Sequence, residues 1–111
     1  MSCEVPVESL GGETLAYLRK LPVRYVYTDD EVLDSDGIVV GDGTLTITLP
    51  TAVGREGIWF VIKRTQTGIV TIKTTGGETI DGSDCIILNY AEYGTWTTIN
   101  VVSDGENWLR L

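Results

Sequence analysis

Thr44-Leu45-Thr46-Ile47-Thr48-Leu49-Pro50 alternates strictly between threonine and an aliphatic residue until proline ends it. A period of two places Leu45, Ile47 and Leu49 on one face of an extended strand and the threonines on the other. The pattern continues downstream. Residues 58–64 (IWFVIKR) form a near-continuous apolar run, which suits a strand covered on both faces. Thr67-Gly68 separates that run from residues 69–74 (IVTIKT), expected to be its antiparallel hairpin partner. Gly76-Gly77 and Asp81-Gly82 bracket a short Thr79-Ile80 strand, and residues 85–88 (CIIL) and 95–102 (TWTTINVV) follow. Asp104-Gly105 then supplies turn chemistry, because glycine tolerates positive φ and aspartate can bond its own backbone. Trp108 and Leu109 after it are strand formers, so the chain's last residues are expected to close a hairpin. Strands at this spacing, split by glycine-rich turns, predict a mainly β fold: a small antiparallel β-sandwich or barrel-like knob over residues 32–111.

Before Val32 the character differs. Residues 13–21 (ETLAYLRKL) space Leu15, Leu18 and Leu21 at intervals of three, between Gly11-Gly12 and Pro22. That spacing predicts one or two helical turns with a single apolar stripe, too short to be stable alone. Residues 23–27 (VRYVY) read as extended. Residues 1–31 are therefore expected to be an N-terminal arm that gains its order by packing on a partner.

The chain has 111 residues, enough for one domain with a core. Sixteen acidic residues against eight basic ones give a net charge of −8, with no histidine. Such a surface disfavours the nucleic-acid backbone and anionic membranes alike. No apolar run approaches a membrane span, and the opening MSCEVPVESL lacks the basic and apolar segments of a signal peptide. A soluble protein made in the cytosol is the expectation. Cys3 and Cys85 form no metal or redox spacing and are read as buried or free thiols, a disulfide between subunits being the alternative.

Without histidine the commonest general base and metal ligand are missing. The serines beside glycine or aspartate have conformational reasons to be there, and none lies in a nucleophile elbow. Asp34-Ser35-Asp36-Gly37 is a fragment of a calcium loop without its late bidentate glutamate, and GGETIDGSD is a single copy of a motif that binds only in stacked repeats. Asp34, Asp36 and Asp42 are thus read as solvated turn residues. No enzyme activity, cofactor or metal is expected. Trp59 and Phe60, as successive strand residues, must point to opposite faces, so one lies under a loop or in an interface between subunits. Tyr90 and Tyr93 flank Glu92 in an expected loop; burial in the core or an interface is the expectation for such aromatics, and stacking on a sugar is the alternative.

Five motifs carry a resemblance when taken in order: Leu49-Pro50-Thr51-Ala52, Gly54-Arg55-Glu56-Gly57, Phe60-Val61-Ile62-Lys63 with Gly68-Ile69-Val70-Thr71-Ile72, Gly77-Glu78-Thr79-Ile80-Asp81-Gly82, and Val102-Ser103-Asp104-Gly105-Glu106-Asn107-Trp108. Over about residues 28–111 the chain resembles a β-module of bacteriophage virion proteins, found at the ends of tail fibres and related appendages. The resemblance implies a non-enzymatic, trimeric β-structure that contributes shape, stability, trimer formation or host binding. It implies a virion location after synthesis in the host cytoplasm, and partners that are copies of itself and capsid or tail proteins. Only some thirty residues precede the module here, where tail fibres carry a long shaft, so the expectation is a short appendage: a head fibre, capsid decoration protein or tail appendage. In that reading Leu15, Leu18, Leu21, Tyr25 and Tyr27 attach the arm to the particle, and Trp59 and Phe60 supply the oligomer interface. The alternative is a receptor-binding tip in which Tyr90 and Tyr93 contact a host surface glycan.

Overall fold

The strict alternation at residues 44–49 does what a period of two requires: Leu45, Ile47 and Leu49 are buried while Thr46 and Thr48 stay half-exposed. The computed structural model describes residues 21–65, 68–89 and 96–111. Among them the strands are β1 (Val23–Val26), β2 (Asp30–Glu31), β3 (Ile38–Gly41), β4 (Leu45–Thr48), β5 (Trp59–Arg64), β6 (Val70–Lys73), β7 (Cys85–Leu88), β8 (Thr98–Ser103) and β9 (Trp108–Arg110). No helix occurs among these residues. The helical turns expected at residues 13–21, with Leu15, Leu18 and Cys3, lie outside the described residues.

The strands form two sheets, ordered β1-β3-β5-β8-β9 (sheet A) and β2-β4-β6-β7 (sheet B). Up to β6 the chain lays strands alternately in A and B, so each circuit adds one strand to each sheet. Neighbours laid down by successive circuits run the same way: β1, β3 and β5 are parallel, and so are β2, β4 and β6. Ile38 pairs with Val23, 15 positions earlier, and with Val61, 23 positions later. The second circuit is longer because β4 is longer than β2 and because of the connection through residues 49–58. The chain thus winds as a short parallel β-coil. Its last strands reverse direction: β7 pairs antiparallel with β6, β8 with β5, and β9 with β8.

This corrects two expectations. The sheets are mixed, not antiparallel, and β5 and β6 are not a hairpin but lie in opposite sheets. The physical reason is that alternation reports one buried face and is blind to strand direction. Only five positions separate β5 from β6, as few as in a hairpin, yet the two strands lie in different sheets. Gly68 makes the corner possible. Its φ is +78°, and a Cβ there would overlap the Gly43 backbone, which turns the equivalent corner one circuit earlier. Ile69 donates its amide to Thr44 Oγ1 (3.1 Å) and Leu45 donates to the Ile69 carbonyl (3.0 Å), stacking the two corners.

The core fills the space between the sheets, with Val26, Val39, Ile47, Phe60, Ile62, Ile72, Leu88, Val101 and Trp108 among its members. β5 alternates within it. Phe60 and Ile62 point inward, while Trp59 is exposed and Val61 and Lys63 half-exposed, so β5 is covered on one face by the described residues. β1 and β2, which the arm was expected to contain, are outer strands of the two sheets, and Val26 is a core residue. Arg24 ties them together. Its guanidinium donates to both Asp36 oxygens (3.0 and 2.8 Å), to Asp30 Oδ2 (2.9 Å) and to the Glu31 carbonyl (2.7 Å).

Candidate functional site

The residues that carry the resemblance are scattered over sixty positions of sequence, and the fold brings many of them to one corner. Glu78, buried, accepts hydrogen bonds from the Thr51 hydroxyl and from the Ala52 amide (2.8 Å), fixing the end of the β4 connection. The Thr79 amide donates to Asn107 Oδ1 (2.9 Å), the Trp108 amide to the Thr79 carbonyl (2.9 Å), and the Asp81 amide to the Trp108 carbonyl (3.1 Å). Trp108 Nε1 reaches the Pro50 carbonyl (3.2 Å), and Ser103 Oγ donates to the Ala52 carbonyl (2.7 Å). Asp104 Oδ1 holds the turn by accepting from the Asn107 and Glu106 amides (2.8 and 2.9 Å), which keeps that carboxyl below its ordinary pKa. The Trp108 ring packs on Phe60 with centroids 5.8 Å apart. Backbone amides and carbonyls do most of this bonding. The corner is a mechanical lock between the two sheets and the closing strand.

The acidic turns are held as firmly. Arg55 forks onto both oxygens of Asp34 (2.8 and 3.0 Å), and the guanidinium holds that carboxyl below its usual range. Burial opposes ionisation of Asp36, but the Arg24 fork, the Leu33 amide (2.8 Å) and the charge of Arg24 together outweigh it and leave its pKa lowered. Asp30 is lowered first by the Glu31 amide (2.7 Å) and then by Arg24. The Arg24 guanidinium is in turn held charged, above all by Asp36. Asp42 Oδ1 accepts from the Thr65 hydroxyl (2.9 Å). Among the described residues no group of three His, Cys, Asp or Glu side chains could hold a metal ion.

The two outer faces differ in kind. Over sheet B lies an open groove of about 600 Å³, floored by Thr46, Thr48, Thr71 and Lys73 and walled by Asp29, Asp30 and Glu31 on one side and Asp84 and Cys85 on the other. It is a hydroxyl surface with an acidic rim. The outer face of sheet A mixes aliphatic and aromatic residues with Lys63, Thr98 and Asn100, and Val40 within it is buried. Register places Trp59 beside Val102 and then Leu109, Val61 beside Ile38 and Asn100, and Lys63 beside Val40 and Thr98. Val23 and Tyr25 continue the face on β1.

Of the expected site residues, Tyr25 lies on this face and Tyr27 is exposed after β1. Leu21 is exposed and close to Gly37. Trp59 is exposed on the same face, but Phe60 is a core residue packed on Trp108 and is unavailable to a partner. Consecutive strand residues must diverge, and the inward one was bound to be core. Leu15, Leu18, Tyr90 and Tyr93 lie outside the described residues. Sequence reasoning missed Val61, Val102 and Leu109 as members of one surface. Their own alternation is readable, but only the pairing of β5, β8 and β9 sets them side by side. No protein-family model, curated protein or solved structure matches the chain.

Proposed function

We propose that this chain is a non-enzymatic structural protein of a bacteriophage virion, a short homotrimeric appendage (head fibre, capsid decoration or tail appendage) whose β-coil projects from the particle. The observation that carries the reading is the corner lock. The motifs that resemble the virion β-module are used to clamp two sheets and a closing strand, so their chemistry is that of a rigid support. A coil wound in parallel circuits and sealed by an antiparallel hairpin suits a part whose task is shape. Its partners are copies of itself and capsid or tail proteins, engaged through the first residues of the chain. The test is to add labelled full-length protein to phage particles lacking the native copy and image them. Labelled density at one defined location of the virion is the expected result, and particles that stay bare overturn the reading. A glycan screen separates the receptor-tip alternative, since reproducible binding lost in Tyr93→Ala would move the function to host recognition.

A further inference from the structure

We infer that Asp81-Gly82 is a self-modification site, where the folded chain isomerises to isoaspartate ahead of its other Asp-Gly pairs and thereby loosens the closing strand. The inference goes beyond the structural role proposed above and does not depend on it.

The chemistry needs neither an enzyme nor an oxidant. The Gly82 amide nitrogen attacks Cγ of the Asp81 carboxylic acid, the acid's hydroxyl and the amide proton leave as water, and a succinimide ring closes. Water then opens the ring. Addition at Cγ restores aspartate. Addition at the Asp81 main-chain carbonyl breaks its bond to the Gly82 nitrogen, so the backbone now runs through Cγ and an α-carboxylate is left free. Atoms balance, since one water leaves and one returns. A glycine after the aspartate permits the attack, because no Cβ crowds the nucleophilic nitrogen.

Asp-Gly pairs occur at residues 36–37, 42–43, 81–82 and 104–105, and all but one are held. At 36–37 Arg24 takes both carboxylate oxygens, the Asp36 side chain is 5% exposed and the Gly37 amide donates to the Pro22 carbonyl (3.2 Å). At 104–105 the Asp104 carboxylate accepts the Asn107 and Glu106 amides, and the Gly105 amide donates to Ser103 Oγ (3.0 Å). The reactive form is the neutral carboxyl. Burial favours it at Asp36, but the Arg24 fork and the Leu33 amide outweigh burial there, and backbone amides disfavour it at Asp104. At 42–43 Asp42 Oδ1 accepts the Thr65 hydroxyl (2.9 Å), and the Gly43 backbone lies against Gly68, so this pair moves only if two circuits unstack.

Asp81-Gly82 differs on each count. Ile80 and Ser83 exchange both backbone hydrogen bonds (2.6 and 2.9 Å), which leaves the pair at the tip of a tight turn. Both residues are exposed, with open space around Gly82. Among the described residues no hydrogen bond engages the Gly82 amide. Asp81 holds a left-handed φ of +48°, a cost that favours opening of the turn. Its carboxyl is tethered by the Arg110 amide, which donates to Oδ1 (3.0 Å) from the last residue of β9. The Asp81 amide in turn donates to the Trp108 carbonyl (3.1 Å), so residue 81 grips β9 at two points. Isomerisation draws Cγ into the main chain, adds a methylene to the turn and takes the Arg110 acceptor out of place.

The experiment incubates the full chain near neutral pH, folded and in concentrated urea. Peptide mapping with electron-transfer fragmentation locates isoaspartate, and an isoaspartyl methyltransferase with labelled S-adenosylmethionine counts it. In urea all the Asp-Gly pairs should react at comparable rates. In the folded chain residue 81 should lead each other pair about tenfold, a barrier difference of about 1.4 kcal/mol. Asp81→Asn, which reaches the same succinimide by losing ammonia, should raise the signal, and Asp81→Glu should remove it. The isoaspartyl form, separated by ion exchange, should melt below the parent. Residue 81 lagging another pair in the folded chain, or staying intact there while the urea sample reacts, overturns the site. An isoaspartyl form that melts with the parent overturns the link to the closing strand.

Discussion

Trp108 sits three positions from the last residue and yet is fully buried, which is where its energetic weight comes from. Its ring packs on Phe60, its Nε1 satisfies the Pro50 carbonyl, and its backbone is bonded to Thr79 and Asp81. Trp108→Ala should cost about 3–5 kcal/mol in urea or thermal unfolding. A melt coinciding with the parent would show that the closing strand is peripheral. This burial was legible in the sequence, since an Asp-Gly turn followed by an aromatic strand needs a core to end against. The role of Asp36 was not legible, because its partner Arg24 lies twelve residues earlier and only the pairing of β1 with β3 brings them together. An unfolded aspartate titrates near 3.9, and the folded Asp36 carboxyl titrates lower. The unfolded chain therefore binds more protons in that interval, so the stabilisation is complete above about pH 4 and fades as pH falls through the folded value. Asp36→Asn should cost about 1–3 kcal/mol at pH 7 and should narrow the stability gap between pH 7 and pH 3. An unchanged gap would remove Asp36 from the acid response. Because Asp34 and Asp36 are held by arginines, melts with calcium and with chelator should coincide. A reproducible shift of several degrees with calcium would overturn that assignment.

Among elements, what the sequence revealed and what it hid divide cleanly. Strand existence was legible wherever one face is buried: β4 alternates as read, β7 spans the CIIL run, and the β8–β9 turn falls at Asp104-Gly105. Strand direction was hidden, since Thr44–Thr48 shows the same period in a parallel or an antiparallel neighbour. The corner glycines hold the information that decides between them. Gly68 at φ +78° lies against the Gly43 backbone, as two stacked circuits require, whereas Gly54 at φ +81° has open space around it. The two make a controlled comparison. Gly54→Ala bears only the left-handed backbone penalty, about 1–2 kcal/mol. Gly68→Ala bears that penalty plus overlap with main chain that has no flexible end to move, so more than about 3 kcal/mol is expected. Urea titrations of the two variants check this. Equal losses would mean the corners are not packed against each other as described.

Across the whole molecule, the change of character near Val32 marks a change in pattern and leaves the sheets uninterrupted. The stretch before it reads as irregular because β1 is a short outer strand whose alternate residues, Val23 and Tyr25, face outward, and because β2 is two acidic residues long. Neither has the repeated apolar alternation that makes a core strand recognisable. Their contribution lies in long-range pairing. β1 covers the outer edge of β3, β2 covers β4, Val26 fills part of the core, and Arg24 joins both strands to Asp36. Removing residues 2–31 would lose the buried Val26 side chain, about 1.5–3 kcal/mol. It would also leave the Asp36 carboxylate, 5% exposed, without its cation, at a further cost of about 1–3 kcal/mol. Domains of this size have roughly 5–15 kcal/mol in total. A chain of residues 32–111 should therefore unfold at a much lower temperature than the full protein, and Val26→Asp in the full chain should reproduce most of the loss. Differential scanning calorimetry of both against the parent is the measurement. A truncated chain that melts cooperatively at the parent temperature would show that β1 and β2 add nothing to the fold and that the coil begins at β3.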